Sequence, residues 1–129
     1  MKIIEGGVTA AKGFEAASVE ASIKYQNRKD MALVYSQVPV LKATCVKWDQ
    51  QVVKSGAKAQ AVIVNSGIAN ACTGAEGFGY CKDTADAAAE ALGINADGVL
   101  IGSTGVIGKQ LQIDRIVAGV RDLAEQKNA

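Results

Sequence analysis

Residues 60–74 read Gln60-Ala-Val-Ile-Val-Asn65-Ser-Gly-Ile-Ala-Asn-Ala-Cys-Thr-Gly74. The run Ala-Val-Ile-Val within this stretch is compact and apolar, which is typical of a buried strand. The segment from Ser66 to Gly74 is made of small residues, so we predict a loop whose glycines allow positive φ angles and close backbone approach. A helix is predicted from about Ala75 to Leu92, with Gly93 as its natural stop.

The predicted helix has one apolar face at helical spacing. That face consists of Phe78, Cys81, Ala85, Ala88 and Leu92. A second unit of the same kind follows, with a buried strand from Val99 to Gly102 and a small-residue turn from Ser103 to Gly108. The last helix is predicted from about Ile113 to Gln126. Its apolar face consists of Ile113, Ile116, Val117, Val120 and Leu123.

The first part of the chain is predicted to form a hairpin. Ser18 to Lys24 alternates apolar and polar residues, as a half-buried strand does. A polar turn at residues 27–30 leads to a second strand from Met31 to Tyr35. Pro39, the one proline of the chain, is expected to interrupt regular structure just after this strand.

A short strand is predicted from Thr44 to Trp48. Asp49 is predicted to cap a short helix that ends near Ser55 and Gly56. Strands followed by strand–loop–helix units indicate an α/β or α+β class with a mixed sheet. The length of 129 residues fits one domain or part of a larger one.

The composition excludes several classes of function. Hydrophobic residues make up 49% of the chain and charged residues 21%, as in ordinary globular proteins. The net charge is +1 and 5% of the residues are aromatic, which argues against nucleic-acid binding and a membrane-surface role. The first residues contain no hydrophobic signal segment, so we expect a cytoplasmic location.

The chain contains no histidine, and this removes several mechanisms. Neither a Ser-His-Asp triad nor a Cys-His dyad nor a His-containing zinc site can be built from it. The three cysteines, Cys45, Cys72 and Cys81, lack a CxxC spacing and are expected to be reduced thiols. Cys72 lies in a small-residue loop, but without a base it is expected to be an accessible or packed thiol and not a nucleophile.

Two strand-to-loop junctions are the candidate functional segments, residues 65–74 and residues 103–108. Each places glycines and hydroxyls where a strand ends, and backbone N–H groups there can bind an anion or an oxyanion. The alternative is that small residues merely allow a tight crossover. Neither segment fits GxxxxGK[ST] or GxGxxG. Lys12, in a third glycine-bearing segment, could attract a phosphate, but no strand precedes it to build a P-loop.

Taken in order, the glycine-bearing segments resemble one family. They are Gly6-Gly-Val-Thr-Ala, Lys12-Gly-Phe, Asn65-Ser-Gly-Ile-Ala-Asn-Ala-Cys-Thr-Gly74 and Gly102-Ser-Thr-Gly-Val-Ile-Gly108. The combination resembles the N-terminal, α-chain part of the ornithine acetyltransferase family, the bifunctional glutamate N-acetyltransferases of arginine biosynthesis. The resemblance covers nearly the whole chain. It implies an α+β fold, an α/β sandwich with a mixed sheet and packed helices, as in the fold that this family shares with the aminopeptidase DmpA.

The resemblance also implies a mechanism. Family members cleave themselves before a threonine, which becomes the N-terminal nucleophile of a separate β chain. This threonine uses its own amine as base and passes acetyl from N-acetylornithine to glutamate without a metal or organic cofactor. Acetyl-CoA is a second donor in some members, and an α2β2 heterotetramer is implied. The oxyanion hole of the family corresponds here to the Thr104 hydroxyl and the Gly105 N–H.

This sequence departs from the family pattern at several positions. Ala11 stands where the family usually has proline, and Ile68 replaces an asparagine, so a polar contact is missing there or the residue packs. The chain also looks shorter than the family after Pro39. The later substrate contacts and the nucleophilic threonine are expected to lie outside these 129 residues.

Two other interpretations remain open. One is a non-catalytic binding module for an acylated amino acid or an anion, and the other is a structural fragment. On the favoured interpretation the chain alone is inactive. The apolar faces of the two long helices are then expected to be incompletely covered within this chain.

Overall fold

The computed structural model describes residues 13–24, 26–40 and 47–127. Within them lie four strands, three helices and a short 3₁₀ turn at Ala96–Gly98. In chain order the elements are β1 (Phe14–Val19), β2 (Met31–Val40), α1 (Lys47–Lys54), β3 (Ala59–Asn65), α2 (Gly74–Leu92), β4 (Val99–Ser103) and α3 (Ile113–Lys127). The motif at residues 6–10, Ala11, Lys12 and Cys45 lie outside the described residues.

The four strands form one mixed sheet in the order β1-β2-β3-β4. β1 and β2 are antiparallel, as are β2 and β3, whereas β3 and β4 run parallel, with Ile63 opposite Ile101 and Asn65 opposite Ser103. The parallel pair brings the ends of both strand–loop–helix units to the same edge of the sheet. The predicted α+β class with a mixed sheet is confirmed.

The core lies between one face of the sheet and helices α2 and α3. The strands contribute buried Leu33 and Ile63, and the helices contribute Ala85, Ala88 and Leu123, all at most 2% exposed. The alanines of α2 allow the close helix–sheet packing that such small side chains permit. Both helices match the prediction in position, and Gly93 ends α2 in the left-handed conformation. Within the described residues, no helix is both long and apolar enough to cross a membrane.

The first strand differs from the prediction. The strand is Phe14–Val19, whereas residues 20–24 form a loop. The physical reason is Asp30, a buried residue whose carboxylate accepts hydrogen bonds from the Ala21 N–H (2.7 Å) and the Ile23 N–H (2.8 Å). These amides are therefore not available to a strand ladder, although Ile23 is still buried as the alternation indicated.

The second strand is longer than predicted, and Pro39 does not end it. β2 extends to Val40, and its pairing with β3 shifts register between Tyr35 and Val40. The irregular stretch accommodates a residue that cannot donate to a regular ladder. The pairing of β1 ends at Ser36, so Pro39 lies beyond the regular antiparallel ladder on that side.

Helix α1 begins where a strand was predicted. Lys47 and Trp48 are helical, and residues 44–46 lie outside the described range. The Trp48 indole N–H donates to the Val99 carbonyl (3.1 Å), and the Asp49 carboxylate accepts the Ile101 N–H (2.9 Å). These side chains satisfy backbone groups on the outer edge of β4, so Asp49 joins α1 to the sheet and does not cap the helix. The predicted helix end near Ser55 is confirmed.

The large apolar side chains that are exposed in this part of the chain lie on the sheet, at Val64, and on the loop after β4, at Val106 and Ile107. Ile116, Val120 and Leu123 of α3 are buried, whereas Ile113 and Val117 of the same predicted face are half-buried, so this face is incompletely covered only away from its centre. The sheet face opposite the helices carries two rows of mostly small or apolar residues. By register, the rows are Ala16, Val34, Val62 and Leu100, then Ser18, Ala32, Val64 and Gly102. Among the described elements, α1 packs there against Val62 and Leu100, whereas Val64 is 38% exposed.

We predict that the hydrogen bond between the Ile101 N–H and the Asp49 carboxylate stabilises the packing of α1 on the sheet. Asp49→Ala leaves the buried Ile101 N–H without an acceptor, which should lower the free energy of unfolding by about 1–3 kcal/mol. Asp49→Asn keeps an acceptor oxygen and should cost less at neutral pH. Urea denaturation of the three proteins measures this difference, and an equal loss in both variants would show that the charge itself is required.

The same comparison has a predicted pH dependence. Burial raises the pKa of Asp49, although the hydrogen bond from Ile101 opposes the shift. The folded state therefore binds this proton more tightly than the unfolded state, and the resulting stability is lost as pH rises through the folded-state pKa. The stability of the wild type relative to Asp49→Asn should fall as pH rises above about 4, the ordinary pKa of an aspartate. A rise over this range would contradict the assignment.

Candidate functional site

The two predicted loops follow the parallel strands β3 and β4 and are joined to each other. We call residues 66–73 the first loop and residues 104–112 the second loop. The Thr104 N–H donates to the Asn65 carbonyl and the Val106 N–H to the Gly67 carbonyl, both at 3.1 Å, and the Ala69 N–H donates to Val106 (3.0 Å). A parallel bridge between Ile68 and Val106 completes the pairing. The loops thus extend the ladder of β3 and β4 beyond the sheet.

Gly105 lies in the middle of this pairing and packs directly on the backbone of Gly67. Its φ of +131° is a conformation that residues with a side chain rarely adopt, and a Cβ at this position would overlap the Gly67 carbonyl group. A Cβ at Gly67 would in turn lie 2.8 Å from the Lys24 Cβ. Both glycines are therefore required by close backbone approach.

Thr104 and Gly105 are adjacent hydrogen-bond donors at the exposed surface of this pairing. Of the amides on either side of the Gly105 N–H, that of Thr104 is bonded to Asn65 at the end of β3, and that of Val106 is bonded to Gly67 of the first loop. Within the described part of the chain, the Gly105 N–H and the Thr104 hydroxyl make no hydrogen bond. The Thr104 hydroxyl and the Gly105 N–H are therefore two neighbouring donors that are available to an acceptor from outside the described residues.

Ile68 packs, which resolves the alternative that the sequence left open. It is 2% exposed and belongs to the main core cluster. Its carbonyl accepts hydrogen bonds from the Asn65 side-chain amide (2.9 Å) and from the Ser103 hydroxyl (3.3 Å). The backbone of the first loop is thereby fixed at Ile68 without a polar side chain at that position.

A side-chain network beneath the loops was not predicted. Asn70 donates through its side-chain amide to the Gly77 carbonyl (2.7 Å) and to the Cys81 sulfur (3.2 Å), and it accepts from the Thr73 hydroxyl (2.5 Å). The Asn70 N–H donates to the Ser103 hydroxyl oxygen (2.8 Å). This network connects the first loop to α2 and to the end of β4. The spacing of these residues in sequence gives no signal for it, because the partners are as far as 33 residues apart.

The described cysteines, Cys72 and Cys81, are free thiols, and the surroundings of Cys81 determine its protonation. Burial raises the pKa of Cys81, the hydrogen bond from Asn70 opposes this, and the charge of Asp49 raises it further. Cys81 is therefore protonated at neutral pH and unsuited to be a nucleophile. Cys72 is exposed in the first loop with a φ of +60°.

Residues 13–24, 26–40 and 47–127 contain no group of three potential metal ligands.

A cleft of about 460 Å³ lies between α1, the start of α2 and the end of β4. Its apolar wall includes Trp48 and Phe78, whose ring centroids are 5.7 Å apart, and its polar wall includes Asn70 and Ser103. Thr104 and Gly105 are not among its lining residues. The predicted donors therefore open to solvent and not to this cleft.

Free donors held at a fixed spacing are suited to bind an oxygen atom that gains negative charge. Because the neighbouring amides are bonded and Gly105 has no room to move toward Gly67, little reorganisation is needed when the acceptor arrives. Such preorganised donors stabilise the oxyanion of an acyl-transfer intermediate more than they stabilise a ground-state carbonyl.

Comparison with known proteins reveals extensive similarity. A sequence profile described as the ArgJ family matches residues 15–129. The arginine biosynthesis bifunctional protein ArgJ of Streptomyces coelicolor is 45% identical over 130 residues, which cover 92% of this chain and 34% of that protein. The corresponding protein of Gloeobacter violaceus is 41% identical over 132 residues, covering 95% of this chain and 32% of that protein. The chain thus spans about a third of the length of these curated relatives.

Solved structures agree with the sequence relatives. The crystal structure of the arginine biosynthesis bifunctional protein ArgJ from Bacillus halodurans matches with a TM-score of 0.84 at 38% identity, covering 92% of this chain and 66% of the other. An ornithine acetyltransferase from Mycobacterium tuberculosis, in complex with ornithine, matches with a TM-score of 0.86 at 40% identity. That match covers 93% of this chain and 70% of the other.

We predict that Gly105 tolerates no side chain. Gly105→Ala combines an unfavourable φ with overlap on Gly67 and should lower the free energy of unfolding by about 3 kcal/mol or more. Gly108→Ala is the matched control, since Gly108 also has a positive φ (+79°) but a Cβ there would have open space, with no contact within 4 Å. It should cost only about 1–2 kcal/mol. Equal losses in urea denaturation would contradict the close approach of the two loops.

Proposed function

The chain belongs to the ArgJ family, and on this premise we propose that it forms part of an acetyltransferase of arginine biosynthesis in which Thr104 and Gly105 bind the oxyanion. The proposed acetyl donor is N-acetylornithine, with acetyl-CoA as a second donor to be tested, and the acceptor is glutamate. The nucleophile is an N-terminal threonine on a separate β chain. No metal or organic cofactor takes part.

One observation carries this proposal. The Gly105 N–H is unbonded between two bonded amides, that of Thr104 on Asn65 of β3 and that of Val106 on Gly67 of the first loop, and the unbonded Thr104 hydroxyl is adjacent to it. A loop that served only as a tight crossover would not need a free donor held in this way. The pairing of the two loops supplies the rigidity that an oxyanion hole requires.

The proposed reaction assigns each group a role. The threonine hydroxyl of the β chain attacks the acetyl carbonyl carbon, and its proton passes to the threonine's own amine. The carbonyl oxygen becomes an oxyanion held by Gly105 and Thr104. The carbon–nitrogen bond then breaks, ornithine leaves with the proton, and an acetyl-threonine ester remains. The amine of glutamate attacks this ester through a second oxyanion at the same donors. The ester carbon–oxygen bond then breaks, a proton from the attacking amine returns by way of the threonine amine to the threonine oxygen, and N-acetylglutamate leaves the free threonine.

The exposure of the donors supports the proposal of a partner. Oxyanion stabilisation is strongest where water is excluded, yet Thr104 and Gly105 are open to solvent in this chain. Val64, Val106 and Ile107 are exposed apolar residues, and Ile107 is 65% exposed. A β chain that covers these residues would both exclude water and bring the nucleophile to the donors. We propose an α2β2 heterotetramer as the complete enzyme.

We predict that Thr104→Val in the complete enzyme abolishes most turnover. Valine keeps the side-chain shape and removes the hydroxyl, so one oxyanion donor is lost. The loss should be roughly 10²–10³ in kcat, with little change in the affinity for N-acetylornithine because the contact strengthens only as charge develops. The measurement is steady-state transfer of acetyl from N-acetylornithine to glutamate.

Two controls accompany this assay. Thr84→Val removes a hydroxyl that bonds to the Tyr80 carbonyl within α2, and it should leave kcat unchanged. The isolated 129-residue chain, which the proposal leaves without a nucleophile, gives the background rate. If Thr104→Val keeps kcat within a factor of about three, its hydroxyl is not an oxyanion donor. Ligand binding without transfer by the complete protein would favour the non-catalytic binding module.

A further inference from the structure

We propose that Ser103 is a positioning residue that fixes the Thr104 and Gly105 donors, an inference that rests on the function proposed above. Ser103 ends β4 and directly precedes Thr104. Its hydroxyl accepts the Asn70 N–H at 2.8 Å and donates to the Ile68 carbonyl at 3.3 Å. A single hydroxyl therefore ties the end of β4 to two positions of the first loop.

With the Ser103 contacts, the chain is held by hydrogen bonds on both sides of Gly105. On one side of Gly105, the loops are joined through Ser103 and through the bond from Thr104 to Asn65. On the other side they are joined through Val106, which bonds to Gly67 and Ala69. Without Ser103, the first loop retains its bonds at Val106 but loses its attachment to the residue next to Thr104. The direction of the Thr104 hydroxyl and the Gly105 N–H then becomes less well defined.

The chemistry of serine suits this position. A hydroxyl both donates and accepts, and the single hydroxyl hydrogen of Ser103 is already directed to Ile68. Ser103 is thus not assigned as a third oxyanion donor. Ser103 is half-buried and lines the 460 Å³ cleft. Ser103→Thr keeps the hydroxyl and is the natural rescue variant.

Ser55 offers a matched control for the loss of hydrogen bonds alone. Its hydroxyl donates to the Val52 carbonyl (2.6 Å) and accepts the Ala57 N–H (3.4 Å). It has the same two-sided bonding as Ser103 but lies at the end of α1. Ser55→Ala should therefore reproduce the loss of a bonded hydroxyl without acting on the loops.

The test compares these variants in the complete enzyme. Ser103→Ala should lower kcat by about 10- to 100-fold, as small misplacements of catalytic groups do, while KM changes by less than about threefold. Ser103→Thr should restore most of kcat, and Ser55→Ala should leave it unchanged. In the Thr104→Val background the effect of Ser103→Ala should shrink, because the two residues act on the same interaction. Unchanged kcat in Ser103→Ala, or full additivity with Thr104→Val, would overturn the proposal.

Two further measurements test the role of Ser103 when Ser103→Ala does not fold or when the wild-type enzyme is inactive. If Ser103→Ala does not fold, Ser103→Cys, whose thiol bonds more weakly, must show an intermediate loss of kcat, and wild-type kcat would overturn the proposal. If the wild-type enzyme transfers no acetyl group, the proposed function fails, and Ser103 is tested by amide hydrogen exchange. The Thr104 and Val106 amides should then exchange at least about tenfold faster in Ser103→Ala than in the wild type. Unchanged exchange would overturn the positioning role.

Discussion

The direct packing of Gly105 on the backbone of Gly67 is the constraint on which the rest of the site depends. Since a Cβ at Gly67 would also lie 2.8 Å from the Lys24 Cβ, Gly67 is packed closely between Gly105 and the segment that carries Lys24. Asp30 holds that segment by accepting two of its amides, and its own carbonyl accepts the Ser66 N–H (2.9 Å). The position of the Gly105 N–H is therefore set by contacts that reach back to the first hairpin.

The sheet places the two loops side by side, so that Gly105 can pack on Gly67. Because β3 and β4 are parallel and in register, their carboxyl ends coincide and the two loops can continue the same ladder. Helix α1 fixes the outer edge of β4 through Trp48 and Asp49, an arrangement that also covers hydrogen-bonding groups an edge strand would otherwise expose. The fold thus positions the Thr104 hydroxyl and the Gly105 N–H through elements that lie away from them.

The parts of the structure that the sequence predicted are those with local causes. β3, α2, β4 and α3 each have an apolar pattern and a length that are set by their own residues, and Gly93 ends α2; these predictions are confirmed. The predictions for residues 18–24 and for Trp48 were wrong because the deciding partners lie elsewhere in the chain. Asp30 removes amides from a strand ladder, and Trp48 and Asp49 bond to β4 about fifty residues away. A buried acceptor or a bonded hydroxyl such as that of Ser103 leaves no pattern in the sequence.

The central claim is that one oxygen atom is bound by both the Gly105 N–H and the Thr104 hydroxyl. The most direct measurement is a crystal structure of the complete enzyme with a phosphonate analogue of the tetrahedral intermediate. The account predicts a phosphonate oxygen about 2.7–3.1 Å from both the Gly105 nitrogen and the Thr104 Oγ1. A bound analogue whose oxygens all contact other groups, with both of these donors left facing solvent, would contradict it.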